Sequence, residues 1–233
     1  MTLLKNLVED ALHLFYPHVC TGCGSDLIKK DNLLCLNCLE DLPHTNFMLY
    51  ENNPIERIFT GRMQVKAAHS QFYFAKGQLI QHLIHQLKYN GNQAIGECLG
   101  EIVGNSLLKT ERFSNIDYLI PLPLYPDKEF KRGYNQAEVI CRGISKSTRI
   151  PVMNNNVIRQ RPTETQTRKH RSERWQNVDG SFIVKHPEKL TGRNILLVDD
   201  VITTGASLEA CGQVILQVPG TTLSLASLAH ASK

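Results

Sequence analysis

Four apolar residues, Ile195-Leu196-Leu197-Val198, run directly into two adjacent carboxylates, Asp199 and Asp200, and then into Val201-Ile202-Thr203-Thr204-Gly205-Ala206-Ser207. An unbroken apolar run bounded in this way reads as a strand buried on both faces, the kind a parallel sheet requires. From Ala206 to Val218 the residues Leu208, Cys211, Ile215 and Val218 fall on one helical stripe. The order is therefore strand, tight turn, helix, with a hydroxyl-rich turn at the helix start. Orphan N–H groups and the helix dipole favour an anion there, which makes Thr203, Thr204, Gly205, Ala206 and Ser207 candidate phosphate ligands. Asp199 and Asp200 are expected at the C-terminal edge of the strand, where open α/β sheets bind ligands. Carboxylates accept hydrogen bonds from hydroxyls and bind hard cations such as Mg2+. A ligand with a phosphate at one end and a diol plus metal beside it fits both halves. A strand that merely ends in two solvated aspartates before a capped helix matches each piece singly, but not the ordered set. The rival phosphate cradle, G-x-x-x-x-G-K-[ST], does not occur in the chain.

Near the other end, Cys20-Thr21-Gly22-Cys23 and Cys35-Leu36-Asn37-Cys38 form two C-x-x-C knuckles with eleven residues between them. Four thiolates at this spacing can surround one Zn2+ tetrahedrally, and a closed four-sulfur shell is structural rather than catalytic. Disulfides are the alternative. Lys5, Glu9 and Asp10 interrupt the first apolar residues, so no signal peptide is read, and no stretch approaches the roughly 20 apolar residues that span a bilayer. The expected compartment is the cytoplasm, where thiols stay reduced and zinc is favoured.

At 233 residues with 42% hydrophobic content, the chain can hold one ordinary α/β core and a small appendage. The expected division is residues 1–55 for an N-terminal amphipathic helix (1–19) with the four-cysteine module, and 56–233 for the α/β domain. The turn-rich Glu51-Asn52-Asn53-Pro54 marks the seam, and the two cores are expected to be separate. Strands are expected near 65–74, 116–122 and 222–229, and helices near 78–89, 93–108 and 135–147. Alternation of this kind implies a largely parallel, doubly wound sheet. His82 and His85 lack a nearby acid or cysteine and read as exposed or capping residues. Cys98, Cys141 and Cys211 sit on apolar stripes and read as packing residues.

The formal charge of +4 is unevenly spread. Residues 159–174 carry Arg159, Arg161, Arg168, Lys169, Arg171 and Arg174 against Glu164 and Glu173, an excess equal to that of the whole chain. Pro162 and a polar run make this segment read as a mobile basic loop, suited to closing over a polyanion.

The acid pair with its turn resembles the phosphoribosyl pyrophosphate (PRPP) motif of type I phosphoribosyltransferases. The resemblance implies that Asp199 and Asp200 hold the ribose hydroxyls, and that Thr203 to Ser207 wrap the 5′-phosphate. It also implies a pyrophosphate loop at Pro123, Leu124, Lys131 and Arg132. Several stretches together resemble the ComF (competence protein F) family: the proline-rich strand end Ile120–Leu124, the run RGYNQAE at 132–138, LKYNGN at 87–92, Gln166 with Arg171, Arg174 and Asn177, the acid-pair motif and the four cysteines. They do so in order along nearly the whole chain. The segment Thr167-Arg168-Lys169-His170-Arg171 departs from the family by being more basic. The fold implied is a type I phosphoribosyltransferase-like α/β domain preceded by a four-cysteine zinc module. Two function classes stay open. One is a protein of natural transformation that works in DNA uptake on the cytoplasmic side, beside other uptake proteins, and binds PRPP with Mg2+ and single-stranded DNA. The other is an active phosphoribosyltransferase with an unidentified nitrogen acceptor, in which Arg132, Arg171 and Arg174 stabilise the departing pyrophosphate.

Overall fold

A computed structural model describes residues 18–26, 28–29, 32–160 and 181–231. The helix expected over 1–19 lies almost wholly outside the described residues, as do Arg161, Gln166, Arg168, Lys169, Arg171, Arg174 and Asn177. The described chain runs α1 (Leu36–Glu40), α2 (Pro54–Phe59), β1 (Ala68–Tyr73), α3 (Leu79–Tyr89), α4 (Gln93–Leu107), β2 (Tyr118–Pro121), α5 (Pro126–Arg132), α6 (Gln136–Thr148), β3 (Val157–Arg159), β4 (Phe182–Val184), β5 (Asn194–Ile202), α7 (Ala206–Leu216) and β6 (Thr222–His230).

Four strands form one sheet in the order β1-β6-β5-β2, and every neighbouring pair is parallel. Strand pleating sorts the apolar run of β5 between two layers. Leu196 and Val198 join the core on one face, with Leu83, Leu87, Leu99 and Ile140, while Ile195 and Leu197 join the other, with Phe59, Leu208 and Ile215. β3 and β4 form a separate antiparallel pair.

Helix α6 docks on α4 through glycine. A Cβ on Gly143 would fall 2.1 Å from the Glu97 carbonyl oxygen, and one on Gly100 would fall 2.3 Å from that of Ile140. Any side chain at either position would force the helices apart. Charge pairs rim the contact, with Arg142 Nε and Lys146 Nζ each 2.9 Å from the Glu97 carboxylate.

The cysteine segment is not a separate core. Cys20, Leu34, Cys38, Leu42 and Met48 belong to the same buried cluster as Phe72, Ile80, Leu87 and Leu228. The expected seam is bridged as well. Asn53, with no exposed surface, caps α2 by accepting the N–H groups of Ile55 and Glu56, and its amide donates to the carbonyls of Phe47 and Ala68. A chain too short to bury its own apolar surface near the cysteines has used the sheet domain's surface instead. The expectation of two separate cores is thereby corrected.

Candidate functional site

The acid pair lies within β5 rather than at its end, because β6 is long enough to keep pairing past it. Asp199 stands opposite Ser227, and Val201 and Ile202 still pair with Ala229 and His230. The turn follows at Thr203. Gly205 takes φ 75°, a left-handed value that suits glycine, and a Cβ there would sit 2.8 Å from the Phe59 ring. Arg62 braces the turn by donating to the Thr204 carbonyl at 3.1 Å and by pairing with Glu209 in the first turn of α7. Thr203, Thr204 and Ala206 are exposed and Ser207 is half-buried, so the turn is open to a ligand.

The two acids behave differently. Asp200 Oδ2 lies 2.9 Å from Lys88 Nζ, at the end of α3. Asp199 Oδ1 accepts the Asp200 N–H at 2.8 Å. Burial, and then the Asp200 charge, push the Asp199 carboxyl up to about 7, against that N–H and the cations Lys88 and Arg159. The pair is thus a site where positive charge or hydroxyl donors would be welcome.

Strand order brings in the second half. Pro121 of β2 is in register with Val198, and Leu122 N–H donates to the Val198 carbonyl at 2.8 Å, so Pro123 and Leu124 leave the sheet beside the acids. Asn135 closes this loop by capping α6 and donating to the Leu122 carbonyl at 3.0 Å. Lys131 is exposed at the end of α5. Arg132 bonds Gln136 and lies with its Cζ 5.6 Å from the Tyr89 ring centre.

Three features were not legible in the sequence. Lys88 reaches Asp200 from a helix far away in the chain. Arg159, read as part of a loop, is instead the last residue of β3. And a cavity of about 430 Å³ opens beside Asp200 and Thr203, walled by Phe74, Ile84, His85, Tyr89 and Val201 among others. A larger groove of about 560 Å³, walled by β4 and the end of α7, contains none of the acids or cations discussed here; chemistry, not size, selects the smaller one.

At the cysteine knuckles the four Sγ atoms all lie within 4.8 Å of one another. A tetrahedral Zn–S shell places its sulfurs about 3.8 Å apart, so the set fits a metal ion. Burial opposes ionisation of Cys20, but the N–H groups of Cys23, Cys35 and Gly22 prevail and hold its thiol at about 6; the Cys35 N–H is 3.2 Å from Cys20 Sγ. Burial and the neighbouring sulfurs push Cys38 the other way. The first knuckle rests on α3: His82 Nε2 is 3.1 Å from the Thr21 carbonyl, and a Cβ on Gly22 would meet Leu79 at 2.9 Å.

Together, the parallel sheet, the acid pair running into the Thr203–Ser207 turn and the adjoining β2 loop make an α/β domain that carries a four-cysteine, metal-competent module. No family model matches the chain. It is similar in sequence to curated competence protein F and DNA utilization proteins. It is 27% identical over 220 residues to "Competence protein F" of Haemophilus influenzae, covering 93% of this chain and 86% of that one. It is 29% identical over 206 residues to "DNA utilization protein YhgH" of Escherichia coli K12, covering 85% and 84%. "Competence protein ComFC" of Bacillus subtilis is 24% identical over 209 residues, covering 89% and 82%. Among solved structures, the glutamine PRPP amidotransferase from B. subtilis complexed with ADP and GMP superposes with a TM-score of 0.42 at 17% identity, over 58% of this chain and 26% of that one.

Proposed function

We propose that this chain is a ComF-like protein of natural transformation, acting in DNA uptake on the cytoplasmic side, and that it binds PRPP with Mg2+ and single-stranded DNA. The observation that carries the ligand reading is the acid pair of β5 running into the open Thr203–Ser207 turn, with the β2 loop one strand away. In this reading Asp199 and Asp200 orient the ribose hydroxyls, the turn takes the 5′-phosphate, and Pro123, Leu124, Lys131 and Arg132 line the pyrophosphate end. Cys20, Cys23, Cys35 and Cys38 hold one structural Zn2+. The names of the relatives support the DNA role, and the cations at 159–174 supply phosphate contacts to the strand.

Asp199→Asn combined with Asp200→Asn removes two acceptor charges and little packing. By calorimetry with Mg2+ the double variant should lose PRPP binding while keeping its fold; wild-type affinity in that variant would refute the site. DNA binding should weaken by about 0.7 decades per tenfold rise in salt for each phosphate neutralised.

The second reading is an active phosphoribosyltransferase with Arg132, Arg171 and Arg174 serving the leaving group, and the cavity beside Asp200 favours it. That cavity offers an acceptor a largely apolar seat next to the ribose acids. Bound Mg2+ would neutralise charge on the departing pyrophosphate, while the acids tolerate positive charge developing on the sugar. PRPP-dependent pyrophosphate release against a panel of nitrogen acceptors, single-stranded DNA included, separates the two readings.

A further inference from the structure

We propose that the exposed surface joining α5 to the end of α3 is a platform for single-stranded nucleic acid, on which Phe130 and Tyr89 stack bases while Lys128, Lys131 and Arg132 hold phosphates. The proposal rests on the single-stranded DNA reading above and deepens it with a surface outside the basic segment at 159–174.

Helix α5 has no core of its own. None of its seven residues is buried by the described chain, and a helix shorter than about 12 residues is marginal on propensity alone. It is held by its ends instead. Pro126 opens it, Asp127 and Glu129 stand in the first turn, and Lys131 and Arg132 stand in the last. Gly133 closes it at φ 83°, its N–H donating to the Glu129 carbonyl. These local signals fix a short helix whose most apolar side chain lies in solvent, for Phe130 is 90% exposed. Lysine or glutamate would serve the helix better at that position. Packing within the described chain therefore gives no reason for a phenylalanine there, and a partner that takes the ring does.

The end of α5 leads to a second presented ring. Arg132 Cζ lies 5.6 Å from the Tyr89 ring centre, and Tyr89, the last residue of α3, is 66% exposed. His85, one turn back and also exposed, packs on Tyr89 with ring centres 4.7 Å apart. The Tyr134 hydroxyl donates to the Leu87 carbonyl and ties the two elements together. Charge then identifies the occupant. Three cations of α5 stand against Asp127 and Glu129. Glu129 lies on the wall of the cavity with Pro123 and Leu124, and Asp127 sits where the helix dipole favours a carboxylate. A protein partner calls for a contiguous apolar centre, whereas here single rings alternate with cations. A single strand calls for that alternation, since each unpaired base offers a π-face and each linkage a phosphate. A duplex keeps its bases stacked on one another and offers these rings nothing.

The test is fluorescence anisotropy of the full chain with labelled oligo(dT) over a range of salt. Stacking of one base is worth about 1–3 kcal/mol by alanine substitution, which converts to roughly a 5- to 150-fold change in affinity. Phe130→Ala should therefore bind oligo(dT) 5- to 150-fold more weakly with its salt slope unchanged, and Phe130→Trp should bind as wild type does. Tryptophan emission of Phe130→Trp should be quenched by oligo(dT) beyond any change seen in wild type, a signature that a merely structural ring would not give. Lys128→Ala should instead flatten the slope by about 0.7; an unmoved slope removes Lys128 from the platform. Melting temperatures of the Phe130 variants should stay within about 2 °C of wild type, because the ring is in solvent, so lost affinity is not lost fold. Oligo(dT) affinity of Phe130→Ala within twofold of wild type overturns the platform and leaves the DNA reading standing. Wild-type protein that does not bind oligo(dT) overturns the DNA reading, and this inference with it.

Discussion

Lys88→Met is the substitution that probes the acid pair most directly. Lys88 Nζ stands 2.9 Å from Asp200, and only 21% and 14% of the two side chains are exposed. Breaking a fully buried pair by removing one partner costs roughly 3–5 kcal/mol, because a charge is left uncompensated. An exposed pair is worth less than about 1 kcal/mol. The partial wetness of this one puts Lys88→Met at about 2 kcal/mol near pH 8, between those limits. At that pH Asp199 is ionised as well, since burial and the Asp200 charge raise its carboxyl only to about 7, and without Lys88 the repulsion between these neighbouring carboxylates is less compensated. Removing Lys88 takes away a cation that lowers the Asp199 carboxyl, so its proton is held more tightly in the variant. At pH 5.5 Asp199 is protonated with or without Lys88, the repulsion is relieved, and the loss should shrink to about half. For a chain of this size, about 2 kcal/mol corresponds to a fall in Tm of roughly 4–8 °C. Thermal unfolding of both proteins at pH 8 and pH 5.5 measures this, and millimolar Mg2+ should recover part of the loss at pH 8. An equal fall at both pH values would mean that Lys88 stabilises through its methylene stem, and would refute the electrostatic account of the pair.

Metal analysis of the wild-type protein should find one zinc per chain, and Cys38→Ser should abolish its binding and lower the melting temperature of the whole chain; an unchanged main transition would restore the separate-core picture. His69 is buried with Nδ1 unpartnered among the described residues, and burial, against its hydrogen bond with Gln71, holds its imidazole at about 4. A depressed value means the folded state binds fewer protons, so its stability is present above about pH 6.5 and is lost as pH falls toward 4, by about 3 kcal/mol in all. Urea unfolding at pH 7 and pH 4.5 should show part of that loss, and His69→Gln should reduce the slope. Gly143→Ala should cost about 1–3 kcal/mol by prising α6 from α4; a neutral melting temperature would show that the crossing relaxes freely.

What the sequence made legible was what is local. The unbroken Ile195–Val198 run announces a doubly buried strand, and the hydroxyls and Gly205 after it announce the turn and helix start. The two C-x-x-C knuckles likewise converge because their spacing is a short-range constraint. What escaped is set by tertiary neighbours. Asp199 and Asp200 lie inside β5 because β6 runs on beside them, which no feature of the 195–207 segment records. Lys88 meets Asp200 across a separation along which no pattern could pair one lysine with one acid. Arg159, in a run of cations, looks like loop until its partner Phe182 is known. The union of the cysteine segment with the sheet was hidden by Asn53, whose place in a turn-rich stretch reads as a break although its side chain is a rivet.

Leu79 and His82 form the floor of the first knuckle, and Lys88 at the other end of the same helix touches the acid pair. The cysteine segment and α3 are therefore a single heritable unit. A chimera with its seam at 55/56 would join a foreign module to an α3 whose Leu79 and His82 meet the original knuckle, and would lose those contacts. Grafting the knuckles onto another α/β domain requires carrying α3 along, and with it the lysine that pairs with Asp200. In lineages that lose the cysteines, compensating change should concentrate on the knuckle-facing side of α3 rather than at the former ligands.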